Sequence, residues 1–277
     1  MRQRQFWSGT LIHLCLGVAS LLIALPLLWM VLTALKTHQQ VFTEPMWRIP
    51  AEIQLGANIA QVFKLIPFWR YFTNSLIVAT VVTVGDLFFS TLAGFGLAKY
   101  RFPGRNLIFG GIVATMMIPF IVIMIPQYII VRRLGWIDTY AGLTIPFLIS
   151  SFGIFMLRQA FLSVPDDIIA SARIDGAHDL RVLFQIVVPL NVPILVSLAI
   201  LRFLMEWDTL MWPLVVTNST RMRTLSLGLA IMQNDRYGAD FPTLMAAALL
   251  AIAPVVLLYA FLQRYFIKSV ASFGLKE

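Results

Sequence analysis

An all-α integral membrane protein with six transmembrane helices and a cytoplasmic helical loop between spans four and five is the fold class this sequence predicts. Three observations carry that expectation. The 277 residues are 59% hydrophobic and only 12% charged, with a mean hydropathy of +0.84, whereas soluble domains carry about a quarter charged residues. Four stretches free of Asp, Glu, Lys and Arg, from Arg4 to Lys36, Arg105 to Arg132, Asp138 to Arg158 and Asp240 to Arg264, are each long enough to cross a hydrocarbon core, which takes about 20 apolar residues. No segment between the apolar runs is long enough to fold around a core of its own, so residues 1–277 read as one membrane domain.

The spans follow in order. Residues 9–34 form the first. Arg2 and Arg4 precede it as they would a signal peptide, but the run exceeds the 7 to 15 residues, roughly, of a signal core and lacks a clear small-x-small cleavage site, so it reads as a retained helix. Residues 72–98 form the second, by apolar content and despite Asp86. Spans three and four, 106–131 and 140–162, lie in charge-free gaps. Span five, 182–217, is interrupted by Arg202, Glu206 and Asp208, and span six is 241–263. An even number of spans puts both termini on one side. Charge alone does not fix which side, but the short connection Lys99 to Arg105, with three cations, favours the cytoplasm. Residues 36–70 and 218–240 then lie outside.

The formal charge of +8 is met by anionic lipid headgroups, with no need of nucleic acid. Cys15 is the single cysteine, and His13, His38 and His178 are far apart, so neither a disulfide, a metal site nor an H-E-x-x-H pair is expected. None of Lys36, Lys64, Lys99, Lys268 and Lys276 follows a glycine, which removes the phosphate-binding loop G-x-x-x-x-G-K-[ST]. With no G-x-S-x-G elbow either, the chain is expected to be no enzyme and to hold no cofactor.

Residues 163–181 form the inner loop with room for secondary structure. Pro165 suits a first helical position, and Asp166 and Asp167 complement the dipole of a first turn. Ile168, Ile169 and Ala172 make an apolar strip, and Gly176 allows the chain to turn before 178–188 leads into span five. Helix, glycine turn, helix is the expected order.

The run Val164-Pro165-Asp166-Asp167-Ile168-Ile169-Ala170-Ser171-Ala172-Arg173-Ile174-Asp175-Gly176-Ala177, followed by Ile186 and Pro189-Leu190, resembles the EAA loop of ABC importer permeases, in the carbohydrate branch that includes maltose and glycerol-3-phosphate permeases. Pro67-Phe68-Trp69, Asn74-Ser75, Arg101-Phe102-Pro103-Gly104-Arg105, Asp138 through Leu143, Trp207 and Trp212-Pro213 extend the resemblance over most of the chain. It implies a permease subunit in the bacterial inner membrane, working with a second homologous permease, two ATP-binding subunits that hold ATP and Mg, and an extracytoplasmic solute-binding protein. The cargo implied is a sugar, polyol or glycerol-phosphate compound. Ala170, Ser171, Ala172, Asp175, Gly176 and Ala177 would couple to the ATPase, and the tail 269–277 would reach the same subunits. Where the family usually carries Glu, this chain has Ala170, and where it usually shows Trp-Asn-Glu, this chain has Trp207-Asp208-Thr209.

An ionised group within a span costs about 2.5 to 3.5 kcal/mol on insertion scales, so each invites a functional reading. Asp86, Arg202, Glu206, Trp207, Asp208 and Trp212 are the candidates for a translocation path. Arg202 and Glu206 stand four apart and can pair on one face, Asp86 could also meet Arg202, and Asp208 lies too far round the helix to join Glu206. A purely neutralising pair would survive exchange of its members. An Arg202 at the path would attract an anionic group and favour glycerol phosphate over a neutral sugar. The alternative class is an ion-coupled secondary transporter or channel in which Asp86, Glu206 and Asp208 relay protons or cations.

Overall fold

The computed structural model describes residues 2–233 and 240–274, with side-chain surroundings for 12–233, 240–261 and 263. The described residues are helical, without strands, and the end of the expected tail, 275–277, lies outside them. In chain order the helices are α1 (Arg2–Ala34), α2 (His38–Thr43), α3 (Leu55–Leu65), α4 (Phe68–Lys99), α5 (Arg105–Thr115), α6 (Phe120–Arg133), α7 (Tyr140–Thr144), α8 (Ser151–Leu162), α9 (Asp166–Ile174), α10 (Asp179–Val182), α11 (Val188–Leu190), α12 (Val192–Asp208), α13 (Met211–Val216), α14 (Leu225–Met232) and α15 (Phe241–Gly274).

Four stretches, Ile12–Ala34, Phe68–Lys99, Tyr140–Leu162 and Phe241–Phe261, are long and apolar enough to cross a membrane. The other two expected spans are broken. Between α5 and α6 the path bends by 100°. Pro119 has no N–H to give to a continuing helix and biases Ile118 away from helical geometry. Between α11 and α12 it bends by 84° at Asn191, flanked by Pro189 and Pro193, after a π-helical turn at Leu183–Val187. The Asn191 side chain closes the break by donating to the Val187 carbonyl at 2.8 Å. A further break at Thr209 and Leu210 separates α12 from α13. Six spans result if each bent pair crosses once.

The chain divides into two compact units. In the first, residues 1–68 with 228–253, the most apolar stretch of α1 is exposed along its length, as suits a helix that is hydrophobic all round. The segment after it is built rather than loose. Thr37 and Gln40 form a reciprocal capping box on α2, and buried Asn58 of α3 donates to the carbonyls of Ala34 and Lys36 at 2.8 and 3.0 Å.

In the second unit, residues 69–227 with 254–277, the described residues include two apolar clusters. Phe95, Leu157, Phe161, Ile169, Val182 and Leu198 pack where α4, α8, α9, α10 and α12 converge. Val78, Val82, Val131, Leu143, Trp212 and Val216 pack towards the opposite end of α4. Between them α4 and α8 approach closely, because Gly94 and Gly153 leave room for backbone and side chains of the other helix.

Candidate functional site

Two places in the second unit gather the candidate residues. The first is the loop 163–181. Pro165 is the N-cap of α9, at ψ 134°, and not its first helical residue as expected; Asp166 and Asp167 make the first turn, and the helix is followed by a left-handed residue, Gly176, at φ 84°. The Gly176 amide donates to the Arg173 carbonyl at 3.0 Å and the Ala177 amide to the Ala172 carbonyl at 2.9 Å. These are the two bonds of a Schellman cap, which satisfies carbonyls otherwise left open at a helix end.

The loop is tied to the end of α4. Lys99 Nζ donates to Asp166 Oδ1 and to the Val164 carbonyl, both at 2.6 Å. The Tyr100 hydroxyl donates to Asp179, whose other oxygen takes Nε and an Nη of Arg173 at 3.0 and 2.8 Å. Lys99 thus holds the Asp166 carboxyl below its ordinary range. Desolvation, reinforced by Asp179, raises the Tyr100 hydroxyl. The two connections 99–105 and 163–181 lie together on one side of the unit.

Burial divides the six loop residues. Ala170, Ser171, Asp175 and Gly176 are exposed, whereas Ala172 and Ala177 are half-buried against the apolar cluster that contains Ile169. Ile169 and Ala172 therefore glue the loop down, while Ile168 is 42% exposed and leaves that strip. Ile174, 86% exposed, stands beside Ala170 and Ser171 on the outer face. The sequence reading missed Ile174 as well as the anchors Tyr100 and Asp179. An isoleucine breaking a polar exposed face was the one available signal.

The second place is a cavity of about 690 Å³ lined by α12 and α13 with Phe120 and Phe147. Arg202, Glu206, Asp208 and Trp212 border it. The Arg202 guanidinium lies 3.0 Å from Glu206 Oε1, donates to the Phe147 carbonyl at 3.0 Å, and sits in ionic contact with Asp86 Oδ2, 3.3 Å from Nε. Asp86 is fully buried and also accepts from the Ser90 hydroxyl at 2.7 Å, the Ser150 amide at 2.7 Å and the Ser150 hydroxyl at 2.8 Å. It caps the start of α8 and ties α4, α8 and α12 together, a fully bonded setting that a buried carboxylate requires. Trp207 is turned away from this cavity, with its ring stacked on Phe203 and edge-on to Phe72 at 5.7 and 5.6 Å. Phe120, Phe147 and Trp212 form an aromatic wall with ring centres 5.5 to 6.3 Å apart, and Trp212 Nε1 donates to the Gly142 carbonyl at 2.9 Å. No group of three or more His, Cys, Asp or Glu that could hold a metal occurs among the described residues.

At the other end of the unit, the quoted Asn74-Ser75 and Asp138-Thr139-Tyr140 meet. Asn74 donates to the carbonyls of Arg221 and Arg223 and accepts from the Tyr140 hydroxyl, and Ser75 accepts from the Leu225 amide. Asp138, at φ 60°, accepts from the amides of Asn218 and Ser219. Desolvation pushes its carboxyl up, but those bonds and Arg221 outweigh it and leave it below the ordinary range. These motif residues act as staples between the connections.

The model of the family described as "Binding-protein-dependent transport system inner membrane component" matches residues 87–272. This chain belongs to that family. Among similar proteins, the arabinooligosaccharides transport system permease protein AraQ of Bacillus subtilis is 38% identical over 209 residues, covering 76% of this chain and 74% of that one. The sn-glycerol-3-phosphate transport system permease protein UgpE of Pectobacterium atrosepticum is 33% identical over 263 residues, covering 92% and 93%. A crystal structure of a bacterial ABC transporter involved in the import of the acidic polysaccharide alginate superposes with a TM-score of 0.82 at 25% identity, covering 93% of this chain and 96% of the matched one. A second, of a bacterial alginate ABC transporter in complex with an alginate pentasaccharide-bound periplasmic protein, shares the fold at TM-score 0.64 and 13% identity over 92% and 93%. This inner-membrane component is thus an ABC-type permease, a multi-pass transport subunit.

Proposed function

We propose that the permease carries a sugar, polyol or glycerol-phosphate compound inward, driven by ATP hydrolysis in separate subunits. The observation that carries this reading is the loop helix α9, fastened to α4 through Lys99 and Tyr100 while Ala170, Ser171, Ile174 and Asp175 remain exposed. A helix held by two independent anchors transmits a push from a docked partner to α4, α8 and α12, which a loose loop would absorb. The partners are two ATP-binding subunits holding ATP and Mg at this face, a second homologous permease, and an extracytoplasmic solute-binding protein at the other. Both termini and residues 163–181 face the cytosol, and the cavity of Arg202, Glu206, Asp208 and Trp212 lies along the path.

The names of similar proteins support a carbohydrate or glycerol-phosphate cargo. Isolation of the chain from its native membrane, followed by uptake assays in proteoliposomes, tests the reading. Co-isolation of an ATPase carrying a phosphate-binding loop, together with uptake that requires internal ATP, is expected. Uptake by the chain alone under an ion gradient would replace it with the secondary-transporter reading.

A further inference from the structure

We infer that the part of the path built by this chain selects neutral polyhydroxylated solutes and rejects anionic ones, so the cargo is a sugar or polyol without phosphate or carboxylate. This deepens the proposed function and rests on its placing of the cavity along the path. Arg202 is the lone cation lining the cavity among the described residues. Its charge is offset on both sides, because Asp86 and Glu206 flank it at 3.3 and 3.0 Å, while Nη2 donates to the Phe147 carbonyl and the buried Nε makes no hydrogen bond.

Asp86, Arg202, Glu206 and Asp208 together sum to two negative charges, and a proton taken up by any one carboxylate still leaves the sum negative. An incoming phosphate or carboxylate would meet that field in a setting of low dielectric, where like charges repel strongly. A neutral sugar faces no such obstacle. Its hydroxyls are donors, and ionised carboxylates only accept. Its apolar ring faces suit exposed Phe120 and half-buried Phe147, which Trp212 backs from the core. The expectation that an Arg202 at the path draws in an anion is thereby reversed, because both carboxylates that the sequence offered it, Glu206 and Asp86, reach it.

The field is measured at Thr209, which lines the cavity and is not among the charged groups. In the purified assembly, with Cys15→Ser, Thr209→Cys is reacted with a cationic and an anionic methanethiosulfonate of similar size, and the ratio of rates is divided by the ratio for 2-mercaptoethanol. A normalised ratio of about tenfold or more in favour of the cation is expected, falling towards unity when Glu206→Gln and Asp208→Asn are added. A parent ratio of one or below overturns the inference. Placement is tested separately. ATP-driven uptake of labelled arabinotriose and maltotriose, and of sn-glycerol 3-phosphate and trigalacturonate, is measured in the whole assembly before and after modification of Thr209→Cys. Neutral uptake at least tenfold above anionic uptake, blocked by the modification, supports the inference. Anionic uptake that equals or exceeds neutral uptake overturns it, and uptake untouched by a complete modification removes the placing of the cavity on the path and this inference with it.

Discussion

Replacing Gly176 isolates the backbone of the coupling loop from its contacts. Its φ of 84° is left-handed, and a Cβ built there meets nothing within 4 Å, so Gly176→Ala introduces strain and no clash. An L-residue in this region pays roughly 1 to 2 kcal/mol, a shift of about 5- to 30-fold between closed and open cap. Val should exceed Ala because its branched side chain tolerates positive φ worst. Asn should fall between Ala and the parent, since it adopts this conformation more readily. Hydrogen exchange at the Ala177 amide reads the cap directly, because that amide donates to Ala172. Exchange should accelerate by about 5- to 30-fold in Gly176→Ala, with order Gly, Asn, Ala, Val, and ATP-driven uptake should fall in the same order while the chain still inserts. Equal exchange in Gly176→Val and the parent would refute the strain argument, and full uptake despite fast exchange would refute the role of a rigid loop in coupling.

Exchanging the members of the Arg202 and Glu206 pair should not be tolerated, because it sets a carboxylate against fully buried Asp86; thermal unfolding in detergent should show Arg202→Ala losing about 3 to 5 kcal/mol and Glu206→Gln much less. Gly153→Ala should destabilise by about 1 to 3 kcal/mol, since its Cβ would lie 2.7 Å from Ser90 Oγ and 2.9 Å from Asp86 Oδ1, and an unchanged melting temperature would contradict the close packing of α4 on α8. The Asp166 carboxyl is held below its ordinary 3.8, so its tie to Lys99 contributes above that value and is lost as pH falls through the lower folded one; a nitroxide at Ser171→Cys should gain mobility on acidification below about pH 4, and Asp166→Asn should already be mobile at neutral pH. In a Cys15→Ser background, an impermeant thiol reagent on intact cells should label Ser219→Cys and spare Ser171→Cys, and the reverse pattern would invert the orientation.

The sequence alone determined the membrane class, the apolar runs and the loop's local chemistry, because each depends on neighbours in the chain. Insertion depends on the apolar content of about 20 consecutive residues, and Pro165, Asp166 and Gly176 act within a turn or two of where they stand. The Arg202 and Glu206 pair was legible for the same reason, being one helical turn apart. Only the tertiary structure decided direction and closure. Charge-free gaps measure length and say nothing of angle, so the bends of 100° and 84° were not visible although their prolines were. Helical periodicity offered Ile168 to the buried strip, but the anchors at Lys99 and Tyr100 turn Ile169 and Ala172 inward and leave Ile174 outside. The second carboxylate beside Arg202, Asp86, is brought to it by the packing of α4 and α12 against α8, where Gly153 makes room and Ser150 completes its bonds. Contacts of that separation arise from how whole helices pack, and no local pattern in the chain encodes them.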